Sequence, residues 1–413
     1  MKRRRRDFTA AAHLRLSLVD QRPRKTGPAR RGRHLKVAGL FAGIGGIELG
    51  LHRAGHSTAL LCEIDNAARA VLNERFPGVP LHDDIRTLPR LKPEIDLLAA
   101  GFPCQDLSQA GKTRGIRGRQ SGLVAHVFEL LGQRAVPWVL LENVPFMLQL
   151  EGGRAMEYVV GELEGLGYRW AYRVIDSRAF GVPQRRERVY LVASKNDDPR
   201  RVLFSGNADP LQDERVLNGA ACGFYWTEGT KGLGWAVDAV PTLKGGSTVG
   251  IPSPPAILLP SGRLVKPDIR DAERLQGFRS DWTRPAERVA RAGTRWKLVG
   301  NAVTVPVAEW IGQRFVDLSG NTAVDGVPLR RGQPWPRAAW YDGSQRFAAV
   351  LSTWPVKRKA TPLAEFMKYP NTPLSVKATA GFLSRARASS LRFPTGFLDA
   401  IAAHLRHMKT LVA

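Results

Sequence analysis

A cysteine stands in the pentapeptide Gly101-Phe102-Pro103-Cys104-Gln105, directly after the apolar run Ile95-Asp96-Leu97-Leu98-Ala99-Ala100. A strand that stops at a Gly/Pro turn delivers the next side chains to the carboxyl edge of a sheet, where open α/β folds hold their chemistry. A cysteine so placed reads as a nucleophile, although free cysteines are more often small buried hydrophobes. The company of Cys104 decides between the two. Trp138-Val139-Leu140-Leu141-Glu142-Asn143-Val144 is a second apolar strand ending in a carboxyl group. Desolvation there raises the pKa of Glu142 and suits it to hydrogen-bond a heteroaromatic nitrogen; the plainer alternative is a surface salt bridge. In Gly181-Val182-Pro183-Gln184-Arg185-Arg186-Glu187-Arg188, three arginines precede the strand Val189–Ala193, and alternation sends Arg186 and Arg188 to one side. Paired beside a thiol and a carboxyl, they would stabilise negative charge or orient a base; the plainer alternative is that each singly binds phosphate.

A second constellation points to a nucleoside. Leu40-Phe41-Ala42-Gly43-Ile44-Gly45-Gly46 follows the first strand and opens a helix, so backbone approaches a ligand closely there. The dinucleotide fingerprint fails, because Glu48 stands where its third glycine belongs. Glu63, at the end of the next strand, has the spacing at which a carboxylate reaches ribose hydroxyls. A nucleoside without pyrophosphate, such as S-adenosylmethionine, satisfies both facts. A glycine turn that merely packs helix on strand is the alternative.

The elements that must position these residues alternate. Short β-type runs (37–41, 59–64, 95–100, 138–142, 172–175 and 189–193) are interleaved with helical segments near 46–54, 66–76, 121–134 and 154–166. That texture predicts a doubly wound, mostly parallel α/β sheet with helices on both faces. Residues 197–268 break it with Gly/Pro-rich sequence and predict a smaller irregular domain. Helical signals return at 268–278 and 303–318, and 330–413 is expected to be a basic extension of short helices.

The net charge of +25 lies at the two ends: residues 1–36 and 330–413 each carry +11, which leaves +3 for the middle. Such flanks fit a polyanion, most commonly nucleic acid, or else are solvated appendages. Residues 1–35, rich in Arg and Pro, are expected to be a disordered tail. No apolar run approaches a membrane span, and three cysteines without a secretory signal argue against a disulfide framework. Cys62 and Cys222 read as structural, and the histidines lack metal-ligand spacing.

Taken in chain order, eight segments resemble the C5-cytosine DNA methyltransferase family of bacterial and phage restriction-modification type. They are the 41–46 turn, Glu63, Asp84-Ile85, residues 101–105, Glu142-Asn143-Val144, residues 184–188, Arg274-Leu275-Gln276-Gly277-Phe278, and Gly300-Asn301-Ala302-Val303. The resemblance spans residues 36–317. It implies the Rossmann-like fold of S-adenosylmethionine-dependent methyltransferases, with a catalytic domain over 36–196 completed by 269–329 and a target-recognition region over 197–268. It implies Cys104 as the nucleophile that adds to C6 of a flipped-out cytosine, Glu142 as its partner at N3, and Arg186 and Arg188 as holders of the base and adduct. Around the methyl donor it places Phe41, Gly43, Gly45, Gly46, Glu63, Asp84, Ile85, Phe102, Asn301 and Val303. On DNA it places Gln105, Ser108, Lys112, Arg114, Arg117, Arg119, Thr242 and Leu243.

Double-stranded DNA, a cognate restriction endonuclease or defence-system partner, action as a monomer on DNA, and a nucleoid-associated cytoplasmic location follow from the same resemblance, with no metal and no membrane. Two departures stand out: Ile64 occupies a position where many relatives carry an aromatic, and Arg270-Asp271 replaces a commoner Arg-Glu pair. A tRNA-directed relative and a catalytically silent DNA-binding homologue are the rival readings. The ordinary Pro-Cys-Gln context argues against the first, and the intact Cys104, Glu142, Arg186 and Arg188 against the second.

Overall fold

The computed structural model describes residues 33–103, 122–211, 215–230, 232–246, 253–320 and 322–410. Most of the expected tail over 1–35 lies outside them. The sheet begins as foreseen. β1 (Lys36–Leu40) pairs in parallel with β2 (Ser57–Cys62) and β4 (Leu97–Ala100); β3 (Leu81–His82) and β5 (Trp138–Asn143) extend it on either side. Both faces are covered, so the strands are continuously apolar. Leu97 and Ala99 join one buried core with α1 (Gly46–Arg53), whereas Leu98 and Ala100 join another with α3 (Leu123–Gln133). α2 (Asn66–Arg75) follows β2, capped by Asp65, whose carboxylate accepts the N–H groups of Ala67 and Ala68.

The other half of this ten-stranded sheet is antiparallel, so the sheet is mixed. After α4 (Arg154–Gly165), β6 (Arg169–Asp176) turns back through the short segment 177–183 and β7 (Gln184–Arg185) into β8 (Glu187–Ser194), which lies between β5 and β6. So short a connection cannot make a parallel crossover.

α5 (Arg200–Leu203) leads to a second, five-stranded sheet built from β9 (Cys222–Phe224), β10 (Trp235–Val237), β12 (Ala256–Leu258) and β13 (Leu264–Lys266), while β11 (Val240–Pro241) pairs with β7. α6 (Ile269–Leu275), α7 (Thr294–Asn301) and α8 (Val305–Val316) return to the first domain. α8 crosses α1 so closely that a Cβ on Gly50 would stand 2.6 Å from the backbone nitrogen of Glu309.

The C-terminal region departs from the expected helical extension. β14 (Gly326–Pro328), β15 (Ala338–Tyr341) and β16 (Arg346–Ala349) lengthen the central sheet, with β15 beside β6. The chain then crosses to the second sheet through α9 (Leu363–Phe366) and adds β17 (Thr372–Pro373) at its edge. α10 (Val376–Ala388) and α11 (Phe397–Thr410) cover that sheet: Phe382 and Phe397 pack on Phe224 at ring distances of 4.5 and 5.3 Å. Residues 330–410 thus complete both units.

Candidate active site

The ends of β4 and β5 build one corner of the candidate site. Asn143 donates from Nδ2 to the Phe102 carbonyl at 2.9 Å, which fixes the Gly-Phe-Pro turn against β5. Pro103 is the last described residue there; Cys104, Gln105, Ser108, Lys112, Arg114, Arg117 and Arg119 lie outside the described residues. Glu142, buried at the end of β5, stands over that turn. A Cβ on Gly101 would come 3.3 Å from Glu142 Oε2, so the glycine leaves room for the carboxyl. Burial pushes the Glu142 pKa upward, while Arg188 and then Arg186 pull it back. Arg188 does so directly, with Nε 3.1 Å from Glu142 Oε1. A desolvated carboxyl touching one guanidinium can hold a proton toward a ring nitrogen and keep its geometry when charged.

Arg186 corrects the expectation that it holds the base. Its guanidinium is buried and donates to three carbonyls: Leu243 at 3.0 Å, Gly300 at 3.2 Å and Ala302 at 2.7 Å. Burial, with the like charge of Arg188, lowers its pKa to about 9. It fastens the second sheet's approach segment to the α7 end. Strand alternation put both arginines on one side but could not show which one the α7–α8 turn would bury.

Thr242 and Leu243 belong to the same fastening. Thr242 Oγ1 donates to the Arg185 carbonyl at 2.9 Å, and the Leu243 N–H donates to Gln184 Oε1 at 3.0 Å. Leu243 is buried in an apolar cluster, which corrects its placement among DNA-contacting side chains. Gln184 Nε2 in turn reaches the Leu275 carbonyl at 3.0 Å and Gln276 Oε1 at 3.1 Å; Thr304 donates to that same oxygen at 2.9 Å. This buried polar network is invisible in sequence because its members lie up to 120 residues apart.

On the other side of β1, Phe41, Gly43 and Gly45 take left-handed backbone angles, with φ of 53°, 55° and 80°. A Cβ on Gly43 would meet nothing within 4 Å, so the turn faces open space. Gly46 is tight instead: a Cβ there would lie 2.7 Å from the Val303 carbonyl. The Glu63 carboxylate accepts from the Gly43 N–H at 2.7 Å and the Asp65 N–H at 2.8 Å. Burial raises its pKa, against the lowering effect of those two bonds. Ile64 beside it is 60% exposed, an apolar face at the mouth of the turn.

Asp84 caps a short turn and pairs with Arg86, whose hydrogen bonds hold its pKa down to about 2; Ile85 and Phe102 are buried, and Asn301 ends α7 against Gly245. The predicted donor positions therefore gather at the carboxyl ends of β1 to β4 and at the α7–α8 turn. Sequence reasoning missed one neighbour. Glu48, buried behind the turn, has its pKa raised by desolvation to about 7, and Gly39 leaves space for its carboxyl. Its sequence signal was a carboxylate within a helix otherwise facing the sheet.

Comparisons with known proteins fit this geometry. Residues 35–218 match the model of the C-5 cytosine-specific DNA methylase family. Across 381 residues the chain is 47% identical to the Type II methyltransferase M2.BsuMI of Bacillus subtilis, covering 89% of this chain and 97% of that protein. This chain belongs to the C-5 cytosine-specific DNA methylase family. The methylase is also 28% identical to M.MspI of Moraxella sp over 68% of its length and 70% of that enzyme's. To M.NgoBI of Neisseria gonorrhoeae it is 32% identical, over 66% of this chain and 90% of that one. Among the described residues no helix is long and apolar enough to cross a membrane, and no cluster of His, Cys, Asp and Glu has an arrangement able to hold a metal.

Proposed function

We propose that this DNA cytosine-5 methylase reads a specific duplex sequence and modifies one cytosine within it through the Cys104–Glu142–Arg188 constellation, in restriction-modification or phage defence. The observation that carries the assignment of roles is the Glu142–Arg188 pair, 3.1 Å apart, standing over the turn that leads into Cys104. The Cys104 thiolate forms a bond to C6 of the extruded cytosine, and Glu142 gives its proton to N3 as electron density moves into the ring. C5 becomes nucleophilic. Once C5 carries the new methyl group, its proton leaves to solvent, the Cys104–C6 bond breaks, and Glu142 recovers its proton from N3. Arg188 keeps the Glu142 carboxylate in place while it is charged, and Arg186 acts as a positioning residue.

S-adenosylmethionine supplies the methyl group as an electrophilic sulfonium. The open Gly43 turn, the anchored Glu63 carboxylate and the exposed Ile64 face fit a nucleoside lacking a pyrophosphate. Glu63 would hold the ribose hydroxyls, Asp84 and Ile85 the base edge with Phe102 beneath, and Phe41, Gly45, Gly46, Asn301 and Val303 the remainder of the pocket. Sequence choice belongs to the second sheet, which we take to include the helices of 376–410 that cover it. The match to M2.BsuMI, a Type II methyltransferase, supports a partnership with a restriction endonuclease in a bacterial cytoplasm; we take the methylase to act as a monomer on DNA.

Transfer of tritiated methyl from S-adenosylmethionine to plasmid DNA tests the function. Incorporation into DNA, lost in Cys104→Ser, is expected. Incorporation into tRNA alone would overturn it. Bisulfite sequencing of DNA from cells expressing the methylase then gives the recognised bases.

A further inference from the structure

Between α9 and β17 the chain crosses α6, and one carboxylate holds it there. Asp271, fully buried on α6, takes the Lys368 N–H on Oδ1 and the Tyr369 N–H on Oδ2, each at 3.0 Å. Arg274, one turn on, donates to the same Oδ1 and to the Phe366 carbonyl, both at 2.6 Å, with its guanidinium 4.4 Å from the centre of the Phe366 ring. Tyr369 is gripped a second time. Its hydroxyl donates to Ser280 Oγ at 2.7 Å, and the Arg270 guanidinium lies 4.1 Å from the centre of its ring. Three residues further on, Thr372–Pro373 forms β17 at the edge of the second sheet, and Ser375 caps the helix that covers it. The end of α6 serves the first unit instead. The Leu275 carbonyl accepts from Gln184, and Gln276 Nε2 donates to the Val299 and Ala302 carbonyls, beside the Val303 carbonyl that packs on Gly46.

We propose that residues 366–369 and Asp271 form a latch that fixes the second sheet against the Glu142 corner, with Asp271 as its positioning residue, so that discrimination between DNA sequences depends on it. The inference rests on the reading above, in which the second sheet chooses the sequence. Recognition in one unit governs chemistry in another only through a link stiff enough for a mismatched contact to misplace the extruded base. A crossing held at two consecutive N–H groups, and again at the ring and hydroxyl of Tyr369, supplies that stiffness. The latch also asks for the shorter acid. One more methylene would carry the carboxyl about 1.5 Å further in a fully buried site, where close packing leaves it no room. Asp271 in place of the commoner glutamate therefore suits the crossing that it holds.

The test uses the full chain with Lys368→Pro, which removes one of the two N–H groups. Lys368 is exposed, and Met367 before it already has the extended angles that a following proline requires, φ −67° and ψ 111°. Plasmid methylation read by bisulfite sequencing gives the ratio of rates at the wild type's own site and at sites differing from it by one base. That ratio should fall by about fivefold or more, the scale of coupling between linked sites, with the donor KM unchanged. Asp271→Glu keeps the charge but misplaces it and should lower the ratio likewise; the double variant should fall no further than the larger single loss. An unmoved ratio in folded Lys368→Pro, whatever its melting temperature, overturns the latch. So do additive losses in the double variant, or a donor KM that moves as far as the ratio. The wild type is measured alongside. Absence of methylation, or methylation without site preference, refutes the reading beneath the proposal, whereas equally sharp site choice in wild type and Lys368→Pro refutes the latch alone.

Discussion

The parallel half of the central sheet and the five-stranded second sheet secure their residues in opposite ways. In the first, each candidate residue sits at or just beyond the end of a buried strand and is held by groups beside that strand end, as the Gly43 and Asp65 N–H groups hold Glu63. In the second, short strands gain their order from helices more than 100 residues away, as Phe224 gains its packing from Phe382 and Phe397. One region is built from local turns and the other from distant burial. Between them Arg186 and Gln184 form a seam that an apolar side chain cannot replace, because buried carbonyls of both units would lose a donor.

Substitutions that act on one side only sharpen this contrast. Glu142→Ala should lower turnover by about 100- to 10,000-fold without moving DNA affinity, the range that proton donation contributes. The alkaline limb of the wild-type rate profile should fall as Glu142 loses its proton, since its raised pKa keeps it protonated below that point. Arg188→Ala removes the main opposing charge, so that limb should move to higher pH; a limb that stays put would detach Arg188 from Glu142.

Phe397→Ala should cost about 3–5 kcal/mol of stability, as buried aromatic truncations do. Hydrogen exchange should locate the loss in the second sheet and its helices, leaving β1 to β5 protected; uniform loss across both sheets would erase the distinction drawn here. Glu63→Ala should weaken donor binding by about 1–3 kcal/mol in calorimetry, with the recognised site unchanged.

The smallest effect concerns Glu48. Its folded pKa is raised from 4.5 to about 7, so its contribution is complete at pH below 4.5 and is lost as pH rises through about 7. Glu48→Gln should therefore raise the melting temperature above about pH 7 and leave it little changed near pH 4.5. An equal shift at both pH values would contradict the burial of an ionising carboxyl.

The same contrast explains what could be read from the sequence. β1, β2, β4 and β5 were legible as apolar runs ending in Gly, Glu or Pro. β15 and β16 were not, because four-residue strands within Arg- and Gly-rich sequence show too little alternation to separate from loop; only pairing with β6 orders them. Glu142 could be foreseen because burial follows from its strand. The burial of Arg186 could not, since it depends on carbonyls supplied by residues 243, 300 and 302.

The central claim is that Cys104 is the covalent nucleophile. Cys62 and Cys222 offer a direct contrast, because burial pushes both thiols up to about 12 and leaves them unreactive. Duplex DNA carrying 5-fluorocytosine at the methylated position should trap the adduct, since fluorine cannot leave C5 as a proton does. Mass spectrometry of the digested complex should find the cytosine on the peptide that contains Cys104. No covalent complex, or one carried by a peptide containing Cys62 or Cys222, would contradict the mechanism.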